Sequence, residues 1–210
     1  MVEVSLNYNG TAIRGDHHVV ASLVPEGSRV LDIGCGDGGL LALLQAERKV
    51  DGRGIELSQQ GVNKCVEQGL SAIQGDADTD LEDYPDNAFD VVVMSQTLQA
   101  TRDPEQVMNE LLRIGKQVII SIPNFAHWRN RMQLGLLGHM PVTKYLPYEW
   151  YNTPNIHFCS LKDFGSLCDQ LNATVEQAIP LNSGGTRINF PAPWKVWNLL
   201  ANQAVYVLRR

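Results

Sequence analysis

The chain has 210 residues, of which 44% are hydrophobic, and a formal net charge of −6 at pH 7. A chain of this length can bury one sizeable core but is short for two independent domains, so we expect a single domain over residues 1–210. The acidic balance argues against a broad nucleic-acid-binding surface, which leaves small molecules and proteins as the expected partners.

The sequence carries no signal for a membrane span, for export or for a metal site. Its first residues show neither a basic start nor an apolar run, and no stretch approaches the roughly 18 consecutive apolar residues of a membrane span. The four cysteines form no CxxC pair and have no histidine at zinc-ligand spacing: Cys35, Cys65, Cys159 and Cys168. We therefore predict a cytoplasmic protein without membrane contact or structural metal.

The first part of the chain alternates short apolar runs with longer stretches of helical spacing. Strands are predicted at residues 28–33, 50–57 and 71–74. Helices between them are predicted from near Asp37 to Lys49, and from a cap at Ser58 to just before Gly69. This alternation is typical of a parallel sheet with helices on its faces.

The later elements follow the same order up to Pro123. Residues 89–94 are apolar almost throughout and β-branched, which predicts a central strand that is covered on both faces. A helix that opens at Asp103 and Pro104 and ends before Gly115 leads to a strand at residues 117–122. A lid or insertion is predicted at about residues 124–157. The chain is predicted to close with a helix at residues 161–171 and strands at 174–179 and 204–208.

A glycine-rich turn follows the first predicted strand. Gly34, Gly36 and Gly39 match the pattern GxGxxG, in which glycine lets the backbone come close to a ligand. The same pattern serves dinucleotides, so the turn alone does not separate NAD from S-adenosylmethionine. At this point the sequence predicts a nucleoside-binding turn in a Rossmann-like fold, and a nicotinamide-dependent dehydrogenase stays an open alternative.

Acidic residues at the strand ends favour S-adenosylmethionine. Asp32 stands two residues before Gly34, where a carboxylate can attract the cationic amino group of a methionine moiety. Glu56 ends the second predicted strand, where it can accept hydrogen bonds from the two ribose hydroxyls. Each acid, taken alone, can also be a solvated loop residue or a helix cap.

The order of these features resembles that of the class I S-adenosylmethionine-dependent methyltransferases, on residues 30–38, Glu56, Asp76 and 89–92. The resemblance implies a three-layer αβα fold with a seven-stranded, mostly parallel sheet whose last strand is antiparallel. It also implies that Asp76 holds the adenine amino group. The predicted binding set for S-adenosylmethionine or S-adenosylhomocysteine is Asp32, Gly34, Cys35, Gly36, Asp37, Glu56, Leu57, Asp76, Ala77 and Ser95.

Longer strings narrow the family further. The chain closely resembles the MetW family of methionine biosynthesis proteins at residues 14–17, 95–100, 121–129, 138–143, 146–148 and 150–157. This resemblance implies a protein that works beside homoserine O-acyltransferase (MetX), the enzyme that acylates homoserine early in methionine synthesis. The MetW-type protein is expected to support or regulate that enzyme while binding S-adenosylmethionine or S-adenosylhomocysteine.

The sequence leaves open whether the chain also transfers a methyl group. Gln99 and Ala100 stand where many small-molecule methyltransferases of this class have a histidine. His127, His139 and His157 are candidate bases, because an unperturbed histidine titrates near neutral pH. Taken alone, each fits a structural role better than a catalytic one. The alternative function is therefore an active S-adenosylmethionine-dependent methyltransferase on an unidentified small-molecule acceptor.

Aromatic residues are concentrated in the predicted lid, together with Arg129 and Arg131. They are Trp128, Tyr145, Tyr148, Trp150 and Tyr151. Aromatic and arginine side chains are frequent at the energetic centres of protein interfaces, so this segment is a candidate partner surface. The same rings can instead cover a ligand or fill the core of an inserted subdomain.

Overall fold

The computed structural model describes residues 5–8, 11–143 and 146–210. The strands are β1 (Ser5–Tyr8), β2 (Thr11–Ile13), β3 (Arg29–Ile33), β4 (Asp51–Glu56), β5 (Ser71–Gln74), β6 (Phe89–Ser95), β7 (Gly115–Pro123), β8 (Thr174–Leu181) and β9 (Gln203–Arg209). The α-helices are α1 (Gly15–Leu23), α2 (Gly39–Arg48), α3 (Gln59–Glu67), α4 (Pro104–Ile114), α5 (Trp128–Met132), α6 (Leu161–Gln170) and α7 (Trp194–Leu200).

Among the described residues, seven strands form one sheet in the order β5-β4-β3-β6-β7-β9-β8. The strands from β5 to β7 are parallel, and β9 is antiparallel to both of its neighbours. The predicted seven-stranded, mostly parallel sheet with an antiparallel last strand is confirmed. The strand order reverses between β3 and β6, and the loops that follow the strands at such a point diverge and leave a crevice.

Helices cover both faces of this sheet, because successive side chains of a strand point to opposite faces. In β6, Val91 lies in a buried cluster with Leu44 of α2, and α1 joins that cluster. Val92 points to the other face, where it shares a cluster with Leu111 of α4, and α6 and α7 complete this layer. The arrangement is the predicted three-layer αβα fold.

The starts of α3 and α4 follow local sequence signals, and the start of α2 does not. Ser58 and Asp103 cap α3 and α4 as predicted, since each side chain accepts a hydrogen bond from a backbone N–H of the first turn. The predicted start near Asp37 is wrong for α2, which begins at Gly39. Gly38 has a φ of 84°, in the left-handed region that a right-handed helix does not include.

The sequence reasoning missed the β1–β2 hairpin, α1 and α7. The two strands of the hairpin are only four and three residues long, too short to show an alternating pattern. Helix α1 buries the polar residues Asp16 and His17 together with Val19, Val20 and Ala21, so its sequence does not show the clear division into polar and apolar faces of an amphipathic helix.

Residues 124–157 contain α5, which continues into a π-helical turn at Gln133–Leu137, and no further regular helix or strand in their described part. Tyr145 lies outside the described residues. Leu134, Leu136 and Leu137 expose large apolar side chains. That this segment is a lid or insertion within a single domain stays a prediction.

Neither a helix able to cross a membrane nor a metal-binding cluster is found in the described residues. None of their helices combines the length and apolar character that a membrane crossing needs. They hold no group of three or more histidine, cysteine, aspartate and glutamate side chains that could bind a metal ion. The four cysteines are free thiols.

Candidate functional site

The glycine turn leads from the end of β3 to the start of α2. Gly34 and Gly36 have φ values of 74° and 59°, which L side chains rarely adopt. A Cβ on Gly34 would lie 2.4 Å from Thr97 Oγ1, whereas a Cβ on Gly36 would meet nothing within 4 Å. The backbone at Gly36 therefore faces open space, and a ligand can approach it closely.

The carboxylate of Glu56 connects this turn to the next helix. Its Oε2 accepts a hydrogen bond from the Gly36 N–H at 2.9 Å, and its Oε1 accepts one from the Ser58 N–H at 2.9 Å. A carboxylate can accept about four hydrogen bonds, so each oxygen retains capacity for one more donor. Glu56 is thus held in position and can still accept hydrogen bonds from two neighbouring hydroxyls.

A hollow of about 260 Å³, here called the Glu56 cleft, opens at the carboxyl ends of β3, β4 and β5. Leu57 stands at its wall and is 65% exposed. Small-molecule sites are typically clefts lined mostly by apolar side chains, and Leu57 contributes such a side chain here. The cleft is lined by five residues of the predicted binding set: Gly34, Glu56, Leu57, Asp76 and Ala77.

Asp76 follows β5 and already has partners on both oxygens. Its Oδ2 lies 2.5 Å from Arg102 Nη2, and its Oδ1 accepts a hydrogen bond from the Asp78 N–H at 3.0 Å. The Arg102 side chain is largely exposed, and an ion pair in such a setting adds little stability. An adenine amino group at this position would share the Asp76 carboxylate with Arg102.

Asp32 is a buried acid in β3, and its Oδ2 has no hydrogen-bond partner in the described part of the protein. Burial raises the pKa of Asp32 to about 7; the Arg14 cation opposes this rise and the Glu56 carboxylate adds to it. A buried carboxylate without a donor is costly, so a ligand ammonium would satisfy a group that the protein leaves unpaired.

The other five residues of the predicted binding set are not among those that line the Glu56 cleft: Asp32, Cys35, Gly36, Asp37 and Ser95. The Cys35 thiol is buried against Gly54 of β4, and burial raises the pKa of this thiol. Asp37 is half-buried in the turn, where its backbone carbonyl accepts a hydrogen bond from a side-chain amide. The Ser95 hydroxyl belongs to a separate buried cluster.

That cluster surrounds Asp16, in the first turn of α1, and sequence reasoning missed it. Arg14 donates to both carboxylate oxygens at 3.1 Å, and the hydroxyls of Ser95 and Ser121 donate to Oδ2 at 3.1 and 3.2 Å. Burial alone would raise the pKa of Asp16, but the charge and hydrogen bonds of Arg14 hold that pKa below its usual value. The sequence signal was limited to the string 14–17, because Ser95 and Ser121 are distant in the chain.

A second hollow of about 330 Å³, here called the Arg14 cavity, lies beside the Glu56 cleft and shares Gln96 and Asn155 with it. Gln99 forms part of its wall and donates from Nε2 to the Gln96 carbonyl and to Asn155 Oδ1. The backbone carbonyl of Gln99 accepts two N–H groups from residues 156–157. These bonds hold the end of the 124–157 segment next to both hollows.

Of the three candidate histidines, His127 is buried, whereas His139 and His157 are exposed. His127 caps α5 and lines a third hollow; burial and the Arg129 cation lower the pKa of His127. His139 is exposed, and the ring of exposed His157 lies 3.2 Å from the Arg102 carbonyl oxygen. Among the described lining residues of the Glu56 cleft and the Arg14 cavity there is no histidine, so the geometry does not single out a base.

The family model described as methionine biosynthesis protein MetW matches residues 14–208. The chain belongs to the MetW family. A relative from Rhodopirellula baltica, the bifunctional methionine biosynthesis protein MetXA/MetW, is 32% identical over 173 residues, which are 78% of this chain and 28% of that protein. The fatty-acid O-methyltransferase of Mycolicibacterium smegmatis is 38% identical over 90 residues, 40% of this chain and 32% of the enzyme. The chain spans about a third or less of these relatives.

Solved structures show that this MetW-family chain has the class I methyltransferase fold. An S-adenosylmethionine-dependent methyltransferase from Thermotoga maritima aligns with a TM-score of 0.64 at 19% identity, over 93% of this chain and 87% of its own. One from Mesorhizobium loti aligns with a TM-score of 0.65 at 14% identity, over 93% and 98%. The [4+2]-cyclase SpnF has a TM-score of 0.63 at 17% identity, over 92% and 80%. Since one neighbour is a cyclase, the fold does not decide the reaction.

Proposed function

We propose that this MetW-family protein binds S-adenosylmethionine or S-adenosylhomocysteine in the Glu56 cleft and, as a partner, supports or regulates homoserine O-acyltransferase (MetX). The main support for this ligand is the Glu56 carboxylate. Two backbone N–H groups hold it in place, and each of its oxygens can still accept a hydrogen bond from a ribose hydroxyl. Exposed Leu57 and the carboxylate of Asp76, which line the same cleft, suit a base with an exocyclic amino group.

The position of Asp32 favours a ligand that carries an ammonium group and argues against a dinucleotide as the ligand. The unpaired Oδ2 of Asp32 is buried near the glycine turn, where a Rossmann-type site receives the pyrophosphate of NAD. A buried carboxylate would repel that pyrophosphate, because like charges interact strongly at low dielectric. The same carboxylate would attract the ammonium of a methionine moiety.

The partner is supported by the name of the Rhodopirellula baltica relative, which joins MetXA and MetW in one bifunctional protein. Covalent linkage keeps two modules at a high effective concentration. We infer that two separate chains with these functions associate, and that the present chain is the MetW-type member of such a pair.

Calorimetry with S-adenosylmethionine, S-adenosylhomocysteine and NAD tests the ligand. We expect Glu56→Gln to weaken binding of the first two by about 10- to 100-fold, the effect of losing hydrogen bonds to a charged acceptor. Gly36→Val should abolish binding, because its side chain would enter the open space of the turn at an unfavourable φ. Glu67→Gln, an exposed change on α3, is the control. NAD binding without binding of S-adenosylmethionine or S-adenosylhomocysteine would contradict the proposal.

Reconstitution with the homoserine O-acyltransferase of the same organism tests the partner. We expect the two proteins to co-purify, and the acyltransferase activity to change on addition of this chain and again on titration of S-adenosylmethionine. If the proteins form no complex and the activity stays the same, the partner role is wrong.

The alternative is an active methyltransferase on a small-molecule acceptor, and the Arg14 cavity favours it. This cavity adjoins the Glu56 cleft through Gln96 and Asn155, so a second molecule could lie next to the methyl donor. Formation of S-adenosylhomocysteine in the presence of candidate acceptors supports this function. No turnover across a broad acceptor panel counts against it.

A further inference from the structure

The third hollow, here called the Arg129 hollow, has the volume of a small-molecule site. It lies between the end of β7, the start of α5 and the loops that hold Leu146, Ser183 and Asn202. Its volume of about 310 Å³ falls within the usual range for ligand pockets, roughly 300–1,000 Å³. Neither the glycine turn nor helix α1 contributes to its described lining. The Arg129 hollow is therefore a separate place where a small molecule can bind.

The buried residues of this lining are held in position by hydrogen bonds. The side-chain amide of Asn124 donates to the Ala201 carbonyl at 2.8 Å and accepts from the Ala126 N–H at 3.0 Å. Asn130, also buried, donates to the Phe125 carbonyl at 3.1 Å. These bonds join the start of α5 to the end of β7 and the end of α7, so the shape of the hollow does not depend on a ligand.

Three side chains of the lining carry donors that have no hydrogen-bond partner in the described part of the chain: Arg129, Ser183 and Asn202. The Arg129 guanidinium lies over the Trp128 ring, 5.4 Å from its centre. Such a contact uses the positive charge and leaves the N–H donors free. A guanidinium, a hydroxyl and an amide from three separate segments can therefore all donate to one ligand.

The charge of the described lining favours a ligand with a single negative charge. Arg129 is its one permanently charged residue. Burial and the Arg129 cation lower the pKa of His127, and His127 Nδ1 accepts a hydrogen bond from the Arg129 N–H, so this ring is neutral at pH 7. One cation in a chain of net charge −6 is a poor match for a phosphate group, which carries a charge of about −1.5 to −2 at pH 7. A carboxylate fits, because its two oxygens match the planar N–H groups of a guanidinium.

The remaining lining suits a short hydrocarbon chain on that carboxylate. Pro123 and Leu146 are buried apolar residues of the lining. The described lining contains no aspartate or glutamate, so the ammonium of an amino acid would find no charge partner there. A charge that is removed from water without a partner is costly, which favours a simple carboxylate over an amino acid.

We propose that the Arg129 hollow binds a short-chain monocarboxylate. The carboxylate accepts hydrogen bonds from Arg129, Ser183 and Asn202, and the hydrocarbon chain contacts Leu146. This binding goes beyond the proposed function, since it needs neither a nucleoside in the Glu56 cleft nor the acyltransferase.

Titration with four small probes, followed by ¹H–¹⁵N NMR, tests the proposal. The probes are butyrate; butyramide, which has nearly the same shape without the charge; L-2-aminobutyrate, which adds an ammonium; and inorganic phosphate. The signals to follow are the side-chain amide of Asn202 and the backbone amides of His127 and Arg129. We expect butyrate to shift these signals to saturation and each of the other probes to bind at least tenfold more weakly.

Two variants test the donors independently of each other. Arg129→Gln removes the cation, and Asn202→Asp places a carboxylate among the donors. Each should weaken butyrate binding roughly tenfold or more, the effect of losing or opposing a hydrogen bond to a charged group. Arg129→Lys keeps the charge and should recover part of the affinity. Arg131→Gln is the matched control, because Arg131 is an exposed arginine on the same helix outside the described lining.

The proposal is overturned if butyrate does not bind, or if butyramide, L-2-aminobutyrate or phosphate binds as tightly. It is overturned also if Arg129→Gln weakens butyrate binding no more than Arg131→Gln does. If Arg129→Gln disturbs α5 through its contact with Trp128, Asn202→Asp decides, since it leaves that contact in place. Butyrate binding of wild-type affinity in Asn202→Asp would then overturn the proposal.

Discussion

Asp32 is 1% exposed in β3, and burial raises its pKa from 3.8 to about 7, against the opposing charge of Arg14. Because the folded-state pKa exceeds the unfolded-state value, the folded state binds the proton more tightly than the unfolded state does. The stability that this proton contributes is present below the unfolded-state pKa and is lost as the pH rises through about 7. Asp32 therefore lowers stability at neutral and alkaline pH, which is consistent with a role in binding.

Asp32→Asn removes the ionisable group and keeps its shape. We expect the variant to have a free energy of unfolding about 2 kcal/mol higher than wild type at pH 8, since each pKa unit corresponds to about 1.4 kcal/mol and an unpaired amide recovers only part of the total. The increase in the free energy of unfolding over wild type should be smaller at pH 5. Urea denaturation at both pH values measures it, and a variant that is less stable than wild type at pH 8 would contradict the assignment.

Ligand affinity should follow the same titration. A ligand ammonium pairs with ionised Asp32, which is protonated below about pH 7. We expect the affinity for S-adenosylhomocysteine to fall by up to about tenfold per pH unit below pH 7 and to stay level above pH 8. Calorimetry across this range measures the slope. If the affinity of Asp32→Asn falls with pH as steeply as that of wild type, a group other than Asp32 titrates in this range.

At the scale of elements, α6 begins with a reciprocal cap that also ends the segment preceding it. Ser160 Oγ accepts from the Asp163 N–H at 3.2 Å, and the Asp163 carboxylate accepts from the Ser160 N–H at 2.9 Å. The helix then buries Phe164, which lies in the same cluster as Tyr206 of β9. The cap thus sets the residue at which α6 begins.

Ser160→Ala removes the serine hydroxyl. The Asp163 N–H then loses its acceptor, and the Asp163 carboxylate loses one of its donors. We expect the free energy of unfolding to fall by about 1 kcal/mol, the usual effect of losing a serine N-cap. Ser166→Ala, an exposed change on the same helix, should alter it by less than about 0.5 kcal/mol. Thermal or urea unfolding compares the two, and equal effects would mean that the cap adds nothing.

At the scale of the whole molecule, apolar surface is concentrated on α5 and the π-helical turn that follows. Leu136 and Leu137 are 72% and 66% exposed, and Met132 and Leu134 are also exposed. The Arg129 guanidinium lies over the Trp128 ring, 5.4 Å from its centre. Exposed apolar side chains beside arginine and tryptophan are typical of protein interfaces. If the proposed function holds, this surface is the expected contact with the acyltransferase.

The double change Leu136→Ser/Leu137→Ser tests this surface. We expect at least a tenfold weaker complex with homoserine O-acyltransferase, because about 1.4 kcal/mol of apolar contact corresponds to one tenfold step in affinity. Nucleoside binding and the melting temperature should stay unchanged. Val66→Ser, which alters an exposed apolar residue on α3, is the matched control. A complex of wild-type affinity would place the interface elsewhere.

Local sequence patterns predicted many of the strands and helices. The apolar run of β6 predicted a central strand, and Ser58 and Asp103 predicted two helix starts. Prediction failed where no local pattern exists, as in the short strands β1 and β2. It failed also at the start of α2, where the left-handed conformation of Gly38 delays the helix. Caps and periodic patterns depend on nearby residues, whereas the φ of one glycine depends on what packs around the turn.

Patterns along the chain were enough to identify the strand–turn–helix at Gly34–Gly39, the acids at the strand ends and the MetW family. Which of these residues share a cleft depends on how the strands and loops pack, so it became known only from the fold. Glu56, Leu57 and Asp76 line one cleft, whereas the Cys35 thiol and the Ser95 hydroxyl are buried elsewhere. The fold also joins Asp16 to Ser95 and Ser121, because parallel strands bring together side chains that lie far apart in the chain.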